Sequence, residues 1–166
     1  MEDKKFELFY DVMKEMDKAY DLMVEYDSLP HNYGNYVLYQ VESHMIDCIG
    51  RNAGITITEL ADDFGKTRSA CSQMVKKLRD KGWVEQVRNK ENNRVYNLFL
   101  TEEGMSIFRN HAQFEYQCYK RGFEGLKSFT YEELEIYLAI QRKINESFQR
   151  DVEESYDYLK QDEKII

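Results

Sequence analysis

A chain of 166 residues, 42% hydrophobic and 33% charged, is long enough for a globular core, and no apolar run reaches the roughly 20 residues a membrane span requires. The formal net charge of −8 argues, taken whole, against a nucleic-acid partner, but residues 66–94 hold nine Lys or Arg against three acids, a local +6 that leaves −14 on the rest. A basic island on an acidic body is an electrostatic footprint for phosphate.

In chain order, Phe6, Phe9, Met13, Met16, Tyr20 and Met23 recur every three or four residues, which predicts an amphipathic helix over 3–27. Pro30 and Gly34 bracket an expected loop. A second helix is expected from about Tyr36 to Gly50, with Leu38, Val41, Met45, Cys48 and Ile49 inward, and residues 51–54 form a turn. Thr56 and Glu59 have the spacing of a capping box, in which hydroxyl and carboxylate satisfy the free N–H groups of a helix start. The short helix that follows offers Leu60, Ala61 and Phe64 to a core. Gly65 breaks it, and a new helix starts near Thr67 with Cys71, Met74, Val75 and Leu78 on one face. Gly82 supplies a left-handed stop. Two strand-like runs, 83–88 and 95–100, are joined by the polar tip Asn89–Asn93. Two helices across a tight turn followed by a β-hairpin is the pattern of a winged helix-turn-helix.

Thr101 caps a long helix reaching about Phe123, with Glu102 and Glu103 suited to its N-terminal dipole and Gly122 and Gly125 at its end. Thr130 and Glu133 repeat the capping box, with Phe129 and Leu134 spaced as a hydrophobic staple. The last helix uses Leu134, Tyr137, Leu138, Ile144, Phe148 and Val152, and the acidic tail beyond is expected to fray. The fold class is therefore mainly α with a small β-hairpin wing. Its expected division is 1–35 as an N-terminal dimerisation helix and loop, 36–101 as a winged helix-turn-helix DNA-binding domain, and 102–166 as C-terminal dimerisation helices and acidic tail.

Arg68, Ser69, Ser72, Gln73 and Lys76 fall opposite the apolar stripe of their helix, where side chains reach base edges or phosphates in a major groove. Any solvated helix face has similar composition; the coincidence with the preceding helix, the glycine stop and the basic hairpin favours DNA.

The stretch ITITELADDFGKTRSACSQMVKKLRDKGWVEQ, with NNRVYNLFLTEEG after it, resembles the MarR family of bacterial transcription regulators. The matching features are ELA at Glu59, Thr67-Arg68-Ser69-Ala70, Leu78, Lys81-Gly82-Trp83-Val84 and Leu100-Thr101-Glu102-Glu103-Gly104. The resemblance implies a homodimer with interlocked terminal helices, presenting two recognition helices to half-sites about 34 Å apart in double-stranded DNA. It places Thr67 among the DNA-binding residues, with Arg68, Ser69, Ser72 and Gln73 on bases and Lys76, Lys77, Arg79 and Lys90 on phosphates. Arg88 and Arg94 lie in the wing, Arg94 beside the minor groove. One departure stands out: the family's wing carries Asp-x-Arg or Asp-Arg-Arg where this chain has Asn92-Asn93-Arg94, so Arg94 lacks its orienting carboxylate unless Glu91 substitutes.

Two sensors are expected on the same grounds. Tyr33, Tyr36 and Tyr39 recur every three residues beside the first two helices and suggest a pocket for a small aromatic ligand, although aromatic rings more often fill cores and interfaces. Alternatively, His111 and Glu115 sit at i, i+4, where both face one side. With His44 on the second helix and Glu25 at the end of the first, they resemble the zinc site of zinc-responsive family members, with Glu115 where those carry a second histidine.

Cys48, Cys71 and Cys118 do not pair evenly, and the start MEDKKFELFY is charged, so the expectation is a reduced, cytoplasmic protein with structural cysteines. No phosphate loop, nucleophile elbow or paired CxxC suggests an enzyme. The competing expectation is a winged-helix module that docks to protein and has lost DNA binding.

Overall fold

The computed structural model describes residues 2–162. Six helices and two antiparallel hairpins follow in the order α1 (Glu2–Ser28), β1 (Pro30–Tyr33), β2 (Tyr36–Tyr39), α2 (Gln40–Arg51), α3 (Ile57–Asp63), α4 (Arg68–Asp80), β3 (Val84–Arg88), β4 (Tyr96–Leu100), α5 (Glu102–Glu124) and α6 (Tyr131–Asp162). By backbone contact the chain forms two compact units, residues 1–117 and 118–166.

Local chemistry sets the helix ends. At α3, the backbone N–H and hydroxyl of Thr56 donate to Glu59 Oε2 at 2.8 Å each, and Glu59 N–H donates back to Thr56 Oγ1. The N–H bond first, and the hydroxyl with it, holds the Glu59 carboxyl below its usual pKa. Thr67 Oγ1 accepts from Ala70 N–H and caps α4. Gly82 ends that segment at φ +78°, a conformation that costs a residue with a Cβ. In the second unit the predicted box at the start of α6 forms, with Thr130 N–H on Glu133 Oε2 and Glu133 N–H on Thr130 Oγ1.

The core of the first unit gathers one face from each element. Leu38 comes from β2, Met45, Ile46 and Ile49 from α2, Leu60 and Ala61 from α3, Cys71, Val75 and Leu78 from α4, and Ile107 from α5. Trp83, Val84 and Leu98 close it from the hairpin. The residues between α2 and α3 join this sheet: Gly54 N–H donates to the Leu98 carbonyl and Leu98 N–H to that of Ile55. The hairpin is thereby tied to the segment before α3, and Trp83 N–H on the Leu78 carbonyl joins it to the end of α4.

Three expectations are corrected. Residues 30–39 are a β-hairpin, not a loop running into a helix, with His31 opposite Leu38 and Tyr33 opposite Tyr36. The reason is a period of two: His31, Tyr33 and Leu38 are buried while Asn32, Val37 and Tyr39 are exposed, and Gly34 takes φ +73° at the tip. Because α2 starts only at Gln40, its buried face is Ser43, Met45, Ile46 and Ile49, and Val41 points to solvent. The last helix continues to Asp162 where fraying was expected; ion pairs and hydrogen bonds at i, i+3 and i, i+4, such as Lys160–Asp157 and Gln149–Glu153, run along it. Among the described residues no helix is long and apolar enough to cross a membrane.

Candidate functional site

α4 is cleanly two-sided. Cys71, Val75 and Leu78 are buried, while Arg68, Ser69, Ser72, Gln73, Lys76 and Lys77 are all exposed. Cys71, fully enclosed, serves the core. The capping hydroxyl of Thr67 leaves the first turn of α4 open to solvent, with Arg68 and Ser69 at its rim. Arg79 is partly committed: its Nη1 donates to Gln86 Oε1 at 2.6 Å, joining helix to wing. Lys81 is committed too, with Nζ 2.6 Å from Glu42 and 4.6 Å from the Trp83 ring centroid.

The wing is built by asparagines. Asn89 Oδ1 accepts from the N–H groups of Glu91 and Asn92, its Nδ2 donates to Asn97 Oδ1, and Asn92 Oδ1 accepts from Arg94 N–H. Such side-chain turns fix a loop without regular pairing. Arg88 lies over the Tyr96 ring and donates to its hydroxyl at 3.2 Å, while Lys90 and Arg94 are exposed at the tip. Among the described residues no ion pair joins Glu91 to Arg94, so Glu91 does not take the place of the missing aspartate. Asn92 instead orders the backbone that carries Arg94.

The three tyrosines are placed apart. Tyr33 is 1% exposed, stacks on His111 at 5.4 Å and shares a hydrogen bond with Ser43 Oγ. Tyr36 packs edge-on against Trp83. Tyr39, 53% exposed, borders a cleft of about 150 Å³ with Val41, Glu42, Met45, Met74, Lys77 and Leu78. All three lie on one hairpin, each against different neighbours.

His44, His111 and Glu115 are brought together: one ligand atom from each lies within 4.8 Å of the others. The His44 and His111 rings meet at 5.5 Å, and His111 Nδ1 is 3.7 Å from Glu115 Oε2, too far for a hydrogen bond. His111 is 2% exposed and its buried Nδ1 has no hydrogen-bond partner. Burial, outweighing the pull of Glu115 and Asp47, lowers the pKa of His111, so the ring is neutral and has a lone pair to offer. Glu25 is exposed on α1 and stands outside the group. Two neighbours escaped the sequence reading: Asp47 and Arg51, which follow His44 on α2 at spacings of three and seven. Their helical spacing was the available signal. Burial, and next to it the Asp63 side chain, raises the Cys48 thiol pKa, which disfavours the reactive thiolate.

A family model described as winged helix-turn-helix DNA-binding matches residues 43–85. YybA of Bacillus subtilis, named as an HTH-type transcriptional regulator, is 26% identical over 144 residues, 85% of each protein. Two solved structures share the fold. ZitR of Lactococcus lactis, a zinc-responsive MarR family member, matches with TM-score 0.70 and 18% identity over 84% of this chain and 99% of its own. FabT of Streptococcus pneumoniae, solved in complex with DNA, matches with TM-score 0.66 and 19% identity over 87% and 98%.

Proposed function

We propose that this chain, a DNA-binding winged-helix transcription regulator of MarR type, acts as a homodimer on a pseudo-palindromic operator and is a ligand-responsive repressor. The observation that carries it is the exposed face of α4, where Arg68, Ser69, Ser72, Gln73 and Lys76 stand clear of a helix whose other face is locked into the core. Arg68 reads a base edge and the lysines hold phosphates, which position the protein without specifying sequence. Lys90 and Arg94 at the wing tip flank the adjoining groove.

Dimerisation is supported by apolar surface that a single copy leaves in water. α1 exposes Phe6, Leu8, Tyr20 and Leu22, and α6 exposes Ile136, Ile140, Val152 and Leu159. Patches of this kind mark protein contacts. A two-fold dimer sets two copies of α4 about 34 Å apart, one turn of duplex.

For the sensor, the clustered donors favour a metal over an aromatic ligand. Two imidazoles and a carboxylate suit zinc, and a neutral buried His111 with an unpartnered Nδ1 fits a ligand role. Zinc would draw the three donors together and so tie α2 to α5, with His44 and Glu115 moving to meet the fixed His111.

The test is selection of bound sequences from a random duplex pool at near-physiological salt, with and without zinc. An enriched inverted repeat, lost in Arg68→Ala, is expected. No enrichment under either condition would refute DNA reading and favour the protein-docking module. A zinc effect abolished by His111→Ala is expected of the metal sensor, and a zinc effect that survives it overturns that part.

A further inference from the structure

Carboxylates gathered for a divalent ion repel one another when the ion is away, and something must neutralise them. On α2 the candidate is Arg51. Its Nε donates to Asp47 Oδ2 at 2.6 Å, and Asp47 lies one turn beyond His44, so the three share a face. The Asp47 side chain is 19% exposed, and its other oxygen, Oδ1, is buried without a hydrogen-bond partner. The opposing helix α5 brings His111 and Glu115. Both carboxylates favour the charged guanidinium, Asp47 more strongly and Glu115 as a lesser cause. The same positive charge bears on His111 and disfavours a second cation there. The Arg51–Asp47 pair therefore shares the α2 face of His44, with a buried orphan oxygen on Asp47, while the cluster of His44, His111 and Glu115 holds a buried orphan nitrogen on His111.

We propose that Arg51 is a resident counter-cation which a divalent metal displaces: the ion takes His44, His111 and Glu115, Asp47 transfers its charge from Arg51 to the ion as a supporting carboxylate, and Arg51 is released to solvent. This rests on the cation reading of the cluster given above. The exchange sets the metal concentration at which the site fills, because binding the ion includes breaking the Arg51–Asp47 pair. It also reports in a useful place. Arg51 is the last residue of α2, and the turn after it is fastened to the wing, by Gly54 N–H on the Leu98 carbonyl and Asn97 Nδ2 on the Gly54 carbonyl. Releasing the guanidinium frees the C-terminal turn of α2 next to that fastening. Asp47 is thus a positioning residue, acting through the ion's charge.

Zinc affinity of the full chain, measured by competition with a chromophoric chelator in the absence of DNA, separates the possibilities. Arg51→Ala should bind zinc about tenfold more tightly and Asp47→Asn at least tenfold more weakly, the scale of supporting groups around metal sites. Arg51→Lys keeps a cation and should stay near the wild type. Arg51 is exposed, so these variants are expected to fold, and helical circular dichroism checks it. Wild-type protein that binds no zinc would overturn the cation reading and this proposal together. Wild-type binding with Arg51→Ala no tighter would overturn the displacement alone and leave the three-donor site standing. Weakening by Asp47→Asn should grow in the Arg51→Ala background by about the factor that Arg51→Ala gains, since no pair then has to be broken, and its disappearance there would refute the role of Asp47.

Discussion

Lys77→Ala offers the sharpest test of how this protein holds DNA. Lys77 is exposed on α4 and, among the described residues, no carboxylate pairs with it, whereas its neighbour Lys81 is engaged by Glu42. Its full charge is therefore available to a phosphate. Each phosphate contact releases about 0.9 counterion on duplex DNA, so in the proposed homodimer two copies of Lys77 contribute about 1.8 to the slope of log affinity against log salt. If the variant's line meets that of the wild type near 1 M salt, a slope shallower by about 1.8 costs roughly 60-fold in affinity at 0.1 M salt, about 2.5 kcal/mol. The loss should be equal on specific and random duplexes, because a phosphate contact carries no sequence information. Fluorescence-anisotropy titrations at four salt concentrations measure the slope. Lys81→Ala serves as the comparison, with a smaller change expected because Glu42 already offsets its charge. An unchanged slope in Lys77→Ala, or a change confined to the specific sequence, would refute the assignment of this face to the backbone.

Thr67→Ala removes the hydroxyl that caps α4 and should lower stability by about 1 kcal/mol while weakening operator binding, read by urea denaturation and by titration in parallel. Gly104→Ala would drive a Cβ into the Trp83 carbonyl oxygen, a backbone atom, so α5 must move off the wing; a loss of about 1–3 kcal/mol or more is expected, and near-wild-type stability would show that the junction yields. His111 has a folded pKa below its ordinary 6.5, so the unfolded chain binds its proton first as pH falls. Its contribution to stability is full above pH 6.5 and declines below it until the folded ring protonates too. Urea midpoints between pH 7.5 and 5.5 should show this decline in the wild type and a shallower one in His111→Gln; parallel slopes would exclude His111 as its source. Leu98→Ala, at a position with no exposed surface where wing and helices meet, should cost about 2–5 kcal/mol in the same denaturation assay.

The grouping of His44, His111 and Glu115 is partly legible in the sequence. His111 and Glu115 share a face by spacing alone, and His44 joined them through a resemblance. Glu25 shows the limit of that route: it lies on the first helix as expected, yet its side chain is exposed and the donors gather without it. Asp47 and Arg51 were hidden for the opposite reason. An Asp and an Arg four residues apart on a helix is an ordinary surface pair. What distinguishes this pair is the buried oxygen of Asp47 and the charge of Glu115 across from it, facts that belong to the packing of α2 against α5.

What the sequence determined by itself is what residues within one helical turn decide among themselves. The boxes at Thr56 and Thr130, the stop at Gly82 and the two-faced pattern of α4 form as read, because each needs only local hydrogen bonds or the phase of a single helix. The hairpin at 30–39 was settled elsewhere. Four-residue runs such as Tyr36–Tyr39 are too short to distinguish a period of two from one of 3.6, and Leu38 is apolar in either phase. The decision came from what those residues meet: Tyr33 stacks on His111, its carbonyl accepts from Asn110, and His31 packs on Phe114, all from α5 some eighty residues later. Contacts at that separation leave no trace in local spacing; the one local sign is Gly34-Asn35, a two-residue turn between the runs, and tertiary packing chose the strand over an early helix start.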